Sequence, residues 1–158
     1  MRTIRMMSAA ALAAGAMASA SAQDTFDACD LFTQAEAQKA LGVPAEAEPV
    51  NPKAKKPKVV PTCTWLASKD GKAIAASATF KFARNDADAQ RAFEDEKLKF
   101  QSKPMLIGGV AAFWSARLGN LQFLKGRTWV VVAVGGAKPV ERDADASRKV
   151  AEAILKKL

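Results

Sequence analysis

Lys69-Asp70-Gly71-Lys72, Ile74-Ala75-Ala76-Ser77-Ala78-Thr79-Phe80-Lys81-Phe82 and Asn85-Asp86-Ala87-Asp88-Ala89 follow one another almost without interruption, and across them the period of the chain changes from two to 3.6. Asp70-Gly71 suits a tight hairpin turn, whose central positions take positive φ that Gly reaches freely and Asp tolerates. It predicts one strand over 62–66 and a second from Ile74 to Phe82. In the second, Ile74, Ala76, Ala78, Phe80 and Phe82 share one face, and Ala75, Ser77, Thr79 and Lys81 the other. Asn85 then caps a helix reaching to about Phe100, with early acids matched to the helix dipole and Ala89, Phe93 and Phe100 on its buried side.

Outward toward the C-terminus, Gly108-Gly109 reopens the sheet. Strands are predicted over 111–117, 121–125 and 128–134, joined by Gly119-Asn120 and by Gly126. A final helix from about Asp143 carries Ser147, Val150, Ala151, Ile154 and Leu158 as its core stripe. Both later helices open on a D-A-D-A-x-R pattern, at Asp86 to Arg91 and Asp143 to Arg148. Duplicated halves are one reading of the echo, but the favoured one is the plainer, that acids and alanines suit any first helical turn.

Outward toward the N-terminus, Thr33-Gln34-Ala35-Glu36 reads as a capping box opening a short helix to Leu41, which Gly42 stops with Pro44 close behind. Between Pro44 and Pro61 lie five of the seven prolines and the cluster Lys53-Ala54-Lys55-Lys56-Pro57-Lys58, a composition that predicts an exposed loop over 44–61. Together the segments predict an α+β domain, with an antiparallel sheet of about five strands, helices mostly on one face, and the order α-β-β-α-β-β-β-α.

Met1-Arg2-Thr3-Ile4-Arg5, an Ala- and Met-rich apolar run, and Ala20-Ser21-Ala22 read as a signal peptide over 1–22, leaving one domain over 23–158. The run is shorter than the roughly 20 apolar residues a membrane span requires, so the mature chain is expected to lack a transmembrane segment and to be periplasmic or secreted. Phe26-Asp27-Ala28 before Cys29 is not a lipid-attachment setting, because it places an acid in the motif. Cys29 and Cys63 are the only cysteines, and in an oxidising compartment they are expected to form a disulfide. Closing that loop contributes about 3 to 4 kcal/mol in the chain-entropy account. A redox role would need Cys-x-x-Cys, and a metal role further ligands.

The segments Asp27-Ala28-Cys29-Asp30-Leu31-Phe32-Thr33-Gln34-Ala35-Glu36, Leu41-Gly42, Cys63-Thr64-Trp65 and Gly109-Val110-Ala111-Ala112-Phe113-Trp114 resemble the layout of an uncharacterised family of exported bacterial proteins, many of them lipoproteins. Its members show Cys-x-Leu-Thr-x-x-Glu, Leu-Gly, Cys-x-Trp and Gly-x-Ala-Ala segments. The resemblance covers most of the chain and implies a Cys29–Cys63 disulfide and an antiparallel α+β fold. It implies no activity.

Histidine and tyrosine are absent, which removes Ser-His-Asp and Cys-His arrangements, His-ligated zinc and the usual proton shuttle near neutral pH. Asp86/Asp88 and Asp143/Asp145 are explained by helix starts. Gly108-Gly109 and Gly135-Gly136 lack the spacing of a phosphate loop. No cofactor, metal or enzymatic activity is expected, and the lysine cluster lacks interleaved aromatics, so nucleic acid is not an expected partner. The net charge of +8, about +6 once Arg2 and Arg5 are removed, favours anionic neighbours but equally serves solubility.

Two candidate sites remain. Trp114 and Trp129, beside Ala75, Ser77 and Thr79, are candidates for an apolar ligand groove on the sheet's second face. Lys53, Lys55, Lys56 and Lys58 are candidates for contact with an anionic envelope polymer or membrane surface. The leading expectation is a non-enzymatic extracytoplasmic binding or protein-interaction module of unknown ligand, followed by an envelope-associated structural protein using the basic loop, then by an enzyme. Replacing Lys53, Lys55, Lys56 and Lys58 with Gln should leave the melting temperature within about 1 °C, since exposed charges contribute little, and should weaken salt-sensitive adsorption to anionic vesicles. Unchanged adsorption in a vesicle co-sedimentation assay would remove the surface-contact expectation.

Overall fold

The computed structural model describes residues 26–50 and 60–158. The expected signal peptide and Lys53, Lys55, Lys56 and Lys58 lie outside the described residues.

The Asp70-Gly71 turn forms as its chemistry requires, with φ of 52° and 74°, and joins β1 (Thr62–Lys69) to β2 (Lys72–Phe82). Asn85 caps α3 (Asp86–Lys99) through its side-chain oxygen, which accepts the Asp88 amide at 2.8 Å. Four strands follow: β3 (Lys103–Ile107), β4 (Val110–Ser115), β5 (Asn120–Lys125) and β6 (Thr128–Gly135). With α1 (Ala28–Leu31) and α2 (Gln34–Leu41) before the sheet and α4 (Ala144–Leu155) after it, the described residues form an α+β unit. Its six strands are all antiparallel, in the order β1-β2-β6-β5-β4-β3.

Two expectations about the sheet are corrected. The strand count is six rather than five, because Lys103–Ile107 pairs with β4. Pro104 argues against a central strand, yet at the sheet's end a missing amide is tolerated. Gly108-Gly109, with φ of 53° and 82°, is therefore a hairpin turn rather than a simple strand boundary. Within the expected exposed loop over 44–61, the described stretch 44–50 is mostly exposed. It lies along β1's outer edge, where Val50 exchanges backbone hydrogen bonds with Thr64 at 2.8 and 3.1 Å and the Glu46 amide donates to Leu66 O at 2.8 Å. The Gln34 side-chain amide ties it to α2 by donating to Ala45 O and Glu46 O. Such cover protects an edge that would otherwise template strand addition.

The main core lies on one side of the sheet. Ala76, Ala78 and Phe80 of β2, Leu121 and Phe123 of β5, and Val130, Val132 and Val134 of β6 meet Val150, Ala151 and Ile154 of α4 and Ala37 and Leu41 of α2. Ser147 belongs to the same α4 stripe although polar: its hydroxyl donates to Asp143 O at 2.7 Å and accepts the Val134 amide at 3.2 Å, joining the helix start to the end of β6. Leu158 is exposed, so the stripe ends at Ile154. The second face carries α3, whose Ala89 and Phe93 pack against Phe113 and Leu124. Helices α2 and α4 thus share one face and α3 covers part of the other. The D-A-D-A-x-R echo consequently marks two N-caps on helices seated on opposite faces, not two superposable repeats.

Cys29 and Cys63 form a disulfide with Cα atoms 5.1 Å apart, fastening α1 to β1. Beside it the Trp65 indole donates to Phe32 O at 2.9 Å, so the carbonyl released where α1 ends is satisfied inside the core. Cys29→Ser should lower unfolding free energy by about 3 kcal/mol, since a 34-residue separation is released in the unfolded chain and native packing changes little. Urea denaturation followed by tryptophan fluorescence checks this, and a loss below about 1 kcal/mol would show that the Trp65–Phe32 bond alone holds the segment.

Candidate functional site

Alternation and register decide which side chains can meet. Directly paired residues of antiparallel strands lie on the same face. Trp129 pairs with Lys81, Val131 with Thr79, Ala133 with Ser77 and Gly135 with Ala75, so Trp129, Ala75, Ser77 and Thr79 share the α3 face. Trp114 pairs with Leu121, and Leu121 with Val132, which places Trp114 on the α4 face beside the main core. The expected groove with both tryptophans is corrected accordingly, because the sheet lies between them. On the α3 face Trp129 is also engaged. Its ring meets Phe93 edge-on at 6.0 Å, Lys81 Nζ sits 4.0 Å from the ring centroid, and its indole donates to Gln122 Oε1 at 2.9 Å. The fully buried Gln122 passes the bond on to Asn120.

Trp114 instead joins a different set. Helix α3 ends with Phe100 as C-cap, and Gln101 adopts φ of 49° while its amide and that of Ser102 donate to Leu98 O and Lys97 O. This is the geometry of a Schellman turn with Gln where Gly is usual. The turn drops the chain into β3, and the Gly108-Gly109 hairpin sets Lys103 opposite Trp114. After β4 a tight turn, with the Gly119 amide donating to Ser115 O at 2.8 Å, presents Arg117. Lys99, Phe100, Gln101, Lys103, Trp114 and Arg117 thereby line a cleft of about 450 Å³.

Among the described residues, this cleft has no carboxylate in its lining. None of the ion pairs among the described residues involves Lys99, Lys103 or Arg117, and Lys99 lies over the Phe100 ring with Nζ 5.2 Å from its centroid. Next to the cleft in sequence, but outside its lining, the buried hydroxyls of Ser102 and Ser115 have no hydrogen-bond partner among the described residues. A non-glycine residue at positive φ costs about 1 kcal/mol or more, so the Gln101 turn gives up local stability.

A second cleft, of about 550 Å³, runs between α2 and α4. Both of its acids are already paired: Glu36 with Lys157 at 2.8 Å and Glu152 with Arg148 at 3.0 Å. Lys157 Nζ also donates to Leu31 O at 3.2 Å. Its floor is the small apolar side chains of Ala40, Val150 and Ala153. The cleft is the seam by which two helices are stitched, and it offers no aromatic surface. Asp143 and Asn85, in turn, are accounted for as N-caps, Asp143 Oδ1 accepting the Ala146 amide at 2.9 Å.

Sequence reasoning missed Lys99, Gln101, Lys103 and Arg117 and assigned Phe100 only to a helix's buried side. One signal was available. Reading Gly108-Gly109 as a two-residue turn pairs Ile107 with Val110 and, four steps on, Lys103 with Trp114. Pro104 hid it.

The chain is matched over residues 7–157 by a family model described as a protein of unknown function (DUF3558), and it belongs to that family. This agrees with the uncharacterised family that the sequence resembles. No curated protein and no solved structure matches the chain.

The α2–α4 seam carries a pH dependence. Burial pushes the Glu36 carboxyl up, but the hydrogen bond from Lys157, those from the Thr33 amide and hydroxyl, and the Lys157 charge together hold it below its ordinary 4.5. A depressed folded-state value means stability that is fully present above the unfolded-state value and lost as pH falls through the folded one. Below pH 4.5 the wild type should therefore lose stability more steeply than Glu36→Gln, which lacks this titration. Denaturation midpoints at pH 7 and pH 3 check it, and parallel losses would contradict the assignment.

Proposed function

We propose that the domain is a non-enzymatic binding module that works outside the cytoplasm and captures an anionic ligand in the cleft lined by Lys99, Phe100, Lys103, Trp114 and Arg117. The observation that carries this reading is three cations without a carboxylate, gathered around two aromatic rings. Like charges held together repel, and a bound anion relieves that repulsion while gaining charge-assisted hydrogen bonds. Gln101, with its positive φ, is part of the same lining, and the buried hydroxyls of Ser102 and Ser115 are its chain neighbours. Broken local rules that cluster in this way are a mark of functional sites. The cleft volume falls toward the small end of the roughly 300–1,000 Å³ that small-molecule sites occupy. The Cys29–Cys63 disulfide supports an oxidising compartment.

The test compares melting temperature in citrate and in chloride at equal ionic strength. Citrate should raise it for the wild type and for Lys39→Gln, which alters only the α2–α4 seam. In the double variant Lys103→Gln/Arg117→Gln the citrate response should fall by at least half. Because multivalent anions also stabilise proteins by exclusion from the surface, the difference between variants is the informative quantity. Equal responses in all three proteins would overturn the proposal.

A further inference from the structure

We infer that the anion is carried on a sugar ring: the cleft takes an acidic saccharide, a pyranose bearing a carboxylate or phosphate. This rests on the binding reading above and narrows its ligand.

The argument starts from the cleft's mixture of groups. Trp114 is half-buried, and no ring–ring contact joins it to Phe100, so its indole is not consumed by an aromatic partner among the described residues. Phe100 already has the Lys99 ammonium over its ring. That leaves one aromatic platform, with cations disposed around it and the Gln101 amide as a neutral donor and acceptor. A pyranose matches such a set. Its axial C–H groups form an apolar, weakly positive face that suits the negative face of an indole, and its hydroxyls form a polar rim.

The donor balance then selects the charge. Lys99, Lys103 and Arg117 only donate, and with no carboxylate in the lining, acceptors for sugar hydroxyls are restricted to Gln101 and backbone carbonyls. A neutral sugar would leave three ammonium or guanidinium groups without an anionic partner, whereas an acidic one supplies it. A flat aromatic anion would satisfy the charges and Trp114 but would leave the Gln101 amide unmatched. The small volume holds one or two rings, so a trisaccharide would extend beyond it into solvent.

Isothermal titration of the mature protein at low ionic strength distinguishes these ligands, using trigalacturonate, glucose 6-phosphate, maltotriose, benzoate and inorganic phosphate as probes. Trigalacturonate or glucose 6-phosphate should bind at least tenfold more tightly than maltotriose, benzoate and inorganic phosphate, and the tighter of the two identifies the anion as carboxylate or phosphate. Trp114→Leu should weaken the acidic sugar at least tenfold while changing inorganic phosphate less than twofold. Trp114→Phe, which keeps a ring in the packing, should retain intermediate affinity and verifies that the loss does not come from misfolding. Benzoate or maltotriose binding as tightly as the acidic sugars would overturn the inference. Inorganic phosphate binding without acidic-sugar binding would overturn it while leaving the anion-binding proposal standing, and failure of every anion to bind would overturn both.

Discussion

The pairing of β2 with β6 is the contact on which the rest of the structure depends. Each of the other ladders in the sheet joins strands that are neighbours in sequence, closed by short turns. Phe80 against Val130, Ala78 against Val132 and Ala76 against Val134 join two separately formed hairpin groups instead, and their apolar faces become continuous only through this register. Loop-closure entropy must be overcome before such a long-range ladder stabilises anything, so burial under α4 and α2 is what holds it. A slip of one residue would turn Val130, Val132 and Val134 toward α3.

The same ladder explains why the two later helices part company. Helix α4 follows β6 and is tied back to it through Ser147, between the Val134 amide and Asp143 O, on the valine face. Helix α3 follows β2 and crosses to the opposite face, where Phe93 finds Phe113 at 4.8 Å between ring centroids and Trp129 at its edge. A helix on each face makes the sheet centre a buried layer and leaves the β1–β2 part of the second face, with Thr64, Ser77 and Thr79, only half-covered. Cover of α1 and the β1 edge is a separate matter, handled by the disulfide and by the strand-like 44–50 segment.

The proposed site lies where α3 ends and β3 begins, at a place built for geometry rather than stability. Gln101 holds a conformation that glycine would take at less cost, two nearby serine hydroxyls are buried without a partner among the described residues, and three cations line a cleft whose described lining has no carboxylate. By contrast the α2–α4 seam has matched each of its acids to a base. Of two clefts with similar volume, the α2–α4 one also carries Lys39, Lys149 and Lys156 outside the ion pairs, but only the one at the α3–β3 junction sets its cations beside aromatic rings.

The sequence by itself determined the local elements: the Asp70-Gly71 hairpin, the Asn85 and Asp143 caps, the Thr33–Glu36 capping box with Gly42 as its stop, the single possible cysteine pair, and the alternation along each strand. Those features follow from turn chemistry, capping and period, which act within a few residues and leave their signature there. What only the tertiary structure decided was which face of one strand continues which face of the next. Trp114 and Trp129 look equivalent in their own strands, yet the register of β4 with β5 and of β5 with β6 sets them on opposite sides of the sheet. The Lys103–Trp114 pairing likewise depends on an end strand containing Pro104, whose local preference argues against it. Cross-strand parity is a property of the assembled sheet, fixed by which pairing buries the most apolar surface, and no window of sequence shorter than the whole domain contains that comparison.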